Sequence, residues 1–228
     1  MSDKEKYKAH IEGELARGLV GKWRRCIGLH GTSVHTITYA INTGVVPGAT
    51  AETYADLRFP QRGDLYYYPY PTRRILGLYD REQQSKLKKY PALWRVQRSA
   101  EILASIHHVL HALRLPIENP EFHSQAAALI YNIDEDVIPE STVQFFESQG
   151  VPYRQLGDLV REALQRKGVI FGIDKRALSI YPEGPGDPGN NDRRIMTSTS
   201  GMAINHLRGL VVLDTYSQQL LEDNLRTS

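Results

Sequence analysis

The stretch Arg24-Arg25-Cys26-Ile27-Gly28-Leu29-His30-Gly31-Thr32-Ser33 carries the strongest structural signal in the chain. A short apolar run, typical of a strand, ends at the polar tetrapeptide His30 to Ser33, and a helical pattern follows at once. Ser33 is suited to cap that helix, because its hydroxyl can accept a hydrogen bond from a free amide of the first turn. The stretch therefore predicts a strand, a His-Gly-Thr-Ser turn and a helix in succession.

The helix that follows has its own start and stop signals. Val34, Ile37 and Ile41 recur at helical spacing, and Gly44 stands where a helix end favours a left-handed residue. At the other end of the junction, Gly31 has no Cβ and lets a ligand approach the main chain closely. We expect a junction of this kind to present backbone donors beside the His30 imidazole.

The bulk composition limits the class of protein. Of the 228 residues 41% are hydrophobic and 24% charged, which is ordinary for a soluble globular chain, and no apolar run approaches the roughly 18 residues that span a bilayer. The charged N-terminus lacks a secretory signal, and the single Cys26 excludes an internal disulfide framework. These features predict an intracellular protein, cytoplasmic or nuclear, without a membrane partner.

A second informative stretch runs from Arg62 to Pro71 and contains three consecutive tyrosines. Tyrosine favours strands, and Pro69 and Pro71 would end this strand or place it at a sheet edge. Side chains alternate along a strand, so Tyr66 and Tyr68 would share one face and Tyr67 the other. Taken alone, the tyrosines fit amphipathic packing with their hydroxyls reaching solvent.

The remaining pattern contains more helices than strands. The long helix predicted from Trp94 to Leu113 carries His107 and His111 on one face, but no third ligand is evident, so we expect half-buried or surface histidines and no metal site. Strict strand and helix alternation is missing, which favours an α+β fold with small mixed sheets. The other predicted helices are 4–19, 119–128, 140–148, 152–168 and 215–226, and the other predicted strands are 129–133, 169–173, 194–197 and 210–213.

The order of these pieces resembles the ADP-ribosyltransferase fold of the poly(ADP-ribose) polymerase and RNA 2′-phosphotransferase group. The resemblance rests on His30-Gly31-Thr32-Ser33, the helix ending at Gly44, and Gly63-Asp64-Leu65-Tyr66. It covers about residues 23–214 of a single domain that spans residues 1–228. It implies a pair of small mixed β-sheets with flanking helices, and NAD as a substrate.

In that family the bond between nicotinamide and ribose is cleaved and ADP-ribose passes to an acceptor. The resemblance implies that the Gly31 backbone binds the nicotinamide carboxamide, that His30 holds the ribose and that Tyr66 stacks on the ring. Two neutral hydrogen bonds and one stack, at about 1 kcal/mol each, give only a millimolar anchor. The diphosphate is therefore expected to bind nearby arginines, namely Arg24, Arg25, Arg73 and Arg74. The candidate catalytic residues are His30, Tyr66, Glu183 and Arg193, and the candidate NAD-binding residues are Gly31, Thr32, Ser33, Gly63, Tyr67, Arg25 and Arg73.

The sequence departs from the family pattern at the late strand, where protein-modifying members usually carry a glutamate. Arg193 or Arg194 stands there, and Glu183 in the preceding loop is the nearby glutamate. This departure argues against chain elongation. It leaves mono-ADP-ribosylation of a protein or nucleic acid, NAD-dependent removal of an RNA 2′-phosphate, or a non-catalytic binding module, in which the basic segment 72–98 contacts a partner.

Overall fold

The computed structural model describes residues 1–19, 26–48, 65–69, 91–132, 138–184, 194–198 and 200–226. Seven α-helices lie in these ranges: α1 (Asp3–Arg17), α2 (Val34–Thr43), α3 (Pro91–Ala112), α4 (Pro120–Tyr131), α5 (Glu140–Ser148), α6 (Tyr153–Ala163) and α7 (Thr215–Arg226). The strands of the same ranges are β1 (Cys26–Thr32), β2 (Val45–Val46), β3 (Leu65–Pro69), β4 (Val169–Asp174), β5 (Arg194–Met196), β6 (Met202–Ala203) and β7 (Leu207–Val212).

The start and stop signals of α2 act as predicted. The Ser33 hydroxyl accepts a hydrogen bond from the Thr36 amide at 3.1 Å, and Gly44 ends the helix in the left-handed region with a φ of 79°. Val34, Ile37 and Ile41 are buried on the core side. The helix that follows the His-Gly-Thr-Ser segment is therefore confirmed.

The strands form a five-stranded sheet in the order β5-β3-β1-β4-β7, and β2 pairs with β6. The α+β class is confirmed. Every pair of neighbouring strands in the described ranges is antiparallel, so these sheets are not mixed as predicted. β1 lies in the middle, where Leu29 faces Tyr68 of β3, and His30 faces Phe171 of β4. β1 is thus paired on both sides, and its successive side chains point to alternate faces of the sheet.

Three local predictions need correction. His30, Gly31 and Thr32 belong to β1 and continue its pairing to β4, so the predicted turn is extended strand. The strand predicted at 129–133 is wrong for Leu129 to Tyr131, which form the last turn of α4. β3 ends at Pro69 as expected, but it lies between β5 and β1 rather than at an edge, and its three tyrosines are buried.

The buried side chains fall into three apolar clusters. One lies on one face of the large sheet, against α1, α2 and α7, and includes Phe171 and Tyr67. A second lies on the opposite face, where Leu29, Tyr68 and Ile170 meet Val96 and Ala100 of α3. The third joins the far half of α3 to α4, α5 and α6 around Phe146. Helix α3 thus contributes to two of the three clusters.

Across the ranges described above, no helix combines the length and the hydropathy that crossing a bilayer requires.

Candidate functional site

His30 is held by the strand next to its own. Its Nδ1 lies 2.5 Å from the backbone carbonyl oxygen of Tyr66, and its ring centroid lies 5.1 Å from that of Phe171. A carbonyl oxygen only accepts, so Nδ1 carries the proton, and in the neutral form of the ring Nε2 is an acceptor. An acceptor nitrogen on a partly exposed imidazole is suited to receive a hydroxyl donor, such as that of a sugar.

Tyr67 and Glu183 form the second part of the site. The Tyr67 hydroxyl donates to Glu183 Oε1 at 2.9 Å, and Arg194 Nε lies 3.7 Å from the same oxygen. Burial, and then the hydrogen bond to Glu183, raises the pKa of the Tyr67 phenol. Tyr67 therefore stays protonated at neutral pH, and it fixes a carboxylate whose side chain is 45% exposed.

Glu183 is attached to the sheet. Glu183 forms an antiparallel bridge with Met196, and hydrogen bonds of 2.9 Å join Gly184 N to Ile195 O and Thr197 N to Pro182 O. Pro182 to Gly184 thus extends the pairing beyond β5. The Glu183 segment therefore lies on the far side of β5 from β3. Its backbone pairing holds the carboxylate in a fixed position, as electrostatic stabilisation by a preorganised charge requires.

The two neighbouring tyrosines occupy opposite faces of the sheet. Leu29 is paired with Tyr68, so alternation places His30 on the face of Tyr67 and Tyr66 on the face of Leu29 and Gly31. Tyr66 is 6% exposed. Its backbone carbonyl contacts His30, but its ring does not lie across from the imidazole. Tyr67, rather than Tyr66, therefore shares the face of His30, together with Phe171.

Gly31, Thr32 and Ser33 are all buried. A Cβ on Gly31 would overlap the carbonyl oxygen of Val96 in α3, so the close approach at this glycine is made by a helix. Thr32 Oγ1 donates to Thr36 Oγ1 at 2.9 Å, and Ser33 Oγ lies 2.6 Å from Nδ1 of His107. These hydroxyls join β1 and α2 to α3.

Several predicted site residues lie outside the described residues. They are Arg25, Gly63, Arg73 and Arg193, together with Arg24 and Arg74.

Sequence reasoning missed a cluster of histidines between α2, α3 and α4. The His35 and His111 rings are stacked with centroids 4.4 Å apart, and the His107 and His123 rings meet edge to face at 5.4 Å. His107 is buried, rather than half-buried or at the surface as predicted. Burial is the first cause of the lowered pKa of His35, about 3, and of His123, about 4. Among the side chains that the structure describes, no three His, Cys, Asp or Glu converge to hold a metal ion.

A comparison of the chain with models of known protein families, with curated proteins and with solved structures gives no match.

Proposed function

We propose that this chain cleaves NAD at the bond between nicotinamide and ribose and transfers single ADP-ribose units to a protein or nucleic-acid acceptor. The observation that carries the proposal is the Glu183 carboxylate, held by the Tyr67 phenol on the strand beside that of His30. A partly exposed imidazole and a fixed carboxylate on the same sheet are the two polar groups that this chemistry needs.

Each group has a distinct role in the proposed reaction. When the glycosidic bond breaks, its electron pair leaves with nicotinamide and positive charge develops on the ribose. His30 Nε2 accepts a hydrogen bond from a ribose hydroxyl, and Glu183 stabilises the developing cation. Fixed charge stabilisation of this kind is worth about 3 kcal/mol, or a factor of 100 to 1,000 in rate.

The alternation of β3 changes one role within this proposal. Tyr67 replaces Tyr66 as the tyrosine that acts beside His30, because Tyr67 shares its face. Tyr67 positions Glu183 through its hydroxyl. Tyr66 positions His30 through its backbone carbonyl, a contact that survives most side-chain substitutions at position 66.

The test is turnover of labelled NAD by purified protein, with chromatography for free nicotinamide and a gel for labelled acceptor. We expect Glu183→Gln to lower turnover 100- to 1,000-fold while NAD binding changes little. Glu147→Gln, at an exposed position of α5, is the control and should match the wild type. A wild-type protein that neither binds NAD nor releases nicotinamide would overturn the proposal.

His30 can be tested with a matched histidine. His10 is also partly buried, and its Nε2 lies 3.1 Å from the backbone carbonyl oxygen of Leu207. His30→Ala should abolish transfer, whereas His10→Ala should leave transfer intact. Adding a 2′-phosphorylated oligonucleotide to the assay distinguishes transfer of ADP-ribose from NAD-dependent removal of a 2′-phosphate. Loss of the phosphate that depends on NAD and leaves no labelled acceptor would assign the chain to phosphate removal.

A further inference from the structure

A small cleft opens where the start of α2 meets α3 and the start of α7. Its volume, counted together with the open solvent at its mouth, is about 180 Å³, so it suits a small group rather than a dinucleotide. His30, Tyr67 and Glu183 do not line it. The lining residues are Ser33, Val34, His35, Ala104, His108, Arg166, Tyr216 and Ser217.

Two buried nitrogen atoms in this lining, Arg166 Nε and His108 Nδ1, have no hydrogen-bond partner among the described residues. Arg166 Nε–H is buried and has no acceptor among the described residues. His108 is 4% exposed; its Nδ1 has no hydrogen-bond partner in the same part of the chain, and its Nε2 faces Glu162 Oε1 at 3.2 Å. Buried polar atoms are nearly always paired, so an unpaired donor such as Arg166 Nε–H in a cleft wall indicates an absent acceptor.

The Arg166 guanidinium is held in place. It lies over the Tyr216 ring at 3.7 Å from the centroid, and its side chain is 13% exposed. The first turn of α2 adds backbone donors, because the amides of Val34 and His35 precede the first intrahelical hydrogen bond and the Ser33 cap is used by Thr36. The start of a helix also favours negative charge.

Two carboxylates, those of Asp214 and Glu162, lie near the cleft, and each already has hydrogen-bond donors. Asp214 already accepts from the amides of Lys167, Gly168 and Ser217 and from the Ser217 hydroxyl. Glu162 Oε1 accepts from Arg166 Nη2 at 2.9 Å and lies 3.2 Å from His108 Nε2. Glu162 Oε1 therefore lies between the Arg166 guanidinium and the His108 ring, and the Glu162 side chain is 55% exposed.

From these contacts we infer that the cleft binds a phosphate group, with Arg166, His108 and the first amides of α2 as its donors. Glu162 occupies the position of one phosphate oxygen in the ligand-free chain and swings out to solvent when phosphate enters. The inference goes beyond the proposed function, since it requires neither NAD nor turnover.

The experiment titrates inorganic phosphate into the full chain at constant ionic strength and follows the amide resonances of Val34 and His35. Glu162→Gln should tighten phosphate binding several-fold, because the competing carboxylate is gone, and a gain in affinity cannot arise from misfolding. Arg166→Gln should weaken binding about tenfold or more. Arg161→Gln, at an exposed residue one turn earlier that pairs with Asp158, is the control and should bind like the wild type.

A second titration with ribose 5-phosphate identifies the source of the phosphate. Tighter binding than that of inorganic phosphate assigns the cleft to a sugar phosphate, and equal or weaker binding assigns it to free phosphate. The inference fails if phosphate leaves both amide resonances unmoved. It also fails if Glu162→Gln binds no tighter than Arg161→Gln.

Discussion

Gly31 shows how a single residue is fixed by packing. A Cβ at this position would overlap the Val96 carbonyl oxygen and lie 2.9 Å from the Ala100 amide nitrogen, both in the α3 backbone. Backbone atoms in the middle of a helix cannot move aside without breaking its hydrogen bonds. The absence of a side chain at Gly31 is therefore required by the fold itself.

We expect Gly31→Ala to destabilise the protein by about 3 kcal/mol, because the added methyl group forces α3 away from β1. Urea denaturation followed by circular dichroism measures the change. Gly157→Ala is the matched control, since Gly157 lies within α6 with open space around its Cβ position. That variant should gain about 0.5 to 1 kcal/mol. Equal stability of the two variants would refute the packing role of Gly31.

At the scale of elements, Arg208 ties α1 to the sheet. Its Nε donates to Asp174 at 2.9 Å, and its Nη1 lies 3.8 Å from Glu14. Both carboxylates are buried, and Glu14 also accepts from the Gly209 amide at 2.7 Å. Burial raises the pKa of Asp174, but hydrogen bonds from Arg176 and Arg208 outweigh it and hold that pKa well below its ordinary value.

Arg208→Met should cost about 1.5 to 3 kcal/mol of folding stability, because it removes the charged hydrogen bond to Asp174, while Asp174 keeps Arg176 and Glu14 keeps Arg17. Arg226→Met provides the comparison, since Arg226 is 72% exposed and pairs with Glu222 at 3.5 Å. An exposed pair of this kind contributes less than about 1 kcal/mol. Thermal unfolding of both variants distinguishes the cases, and a similar small loss for each would show that the buried ion pair is dispensable.

Elements with strong local signals could be predicted from the sequence. The hydroxyl of Ser33 and the glycine at 44 mark the two ends of α2, and both signals are local. Leu129 to Tyr131 is a short apolar run that suits a strand or a buried helix equally, and only its packing in α4 decides. Strand partners could not be predicted, because the pairing of β1 with both β3 and β4 depends on residues distant in sequence.

The candidate site also combines features that the sequence predicts with features that depend on contacts between distant residues. The sequence brought His30, the tyrosine strand and Glu183 into one hypothesis, and the structure places β1 beside β3 and the Glu183 segment on the far side of β5. The shared face of His30 and Tyr67 follows from register, which the sequence does not contain. The contact of Ser33 with His107 joins residues 74 positions apart, so no local pattern could have indicated it.

At the scale of the whole molecule, the buried histidines make stability depend on pH. Burial lowers the pKa of His107 and His108, and it lowers the pKa of His35 to about 3 and of His123 to about 4. In the unfolded chain each of these groups titrates near 6.5. Below that pH the unfolded state binds protons that the folded state excludes, so the free energy of unfolding falls as the pH falls from about 6.5 toward 4.

The expected slope is up to about 1.4 kcal/mol per pH unit for each histidine that remains neutral in the folded state. Urea midpoints at pH 7.5, 6 and 5 measure it. His35→Gln should reduce the slope by about one such increment, because it removes one excluded proton. An unchanged midpoint between pH 7.5 and 5 would show that the cluster is protonated without cost.

The contact of α3 with β1 has a consequence for evolution. Gly168 has a φ of 75°, and a Cβ there would lie 2.6 Å from the Ala100 carbonyl oxygen, so it is constrained by the same helix as Gly31. Homologues are therefore expected to retain glycine at both positions whether or not they carry out the proposed reaction, so a His-Gly pair alone would not mark an active copy. Position 183 has no packing constraint of this kind. A retained glutamate at position 183 should therefore be the first sign that a homologue still carries out the proposed reaction.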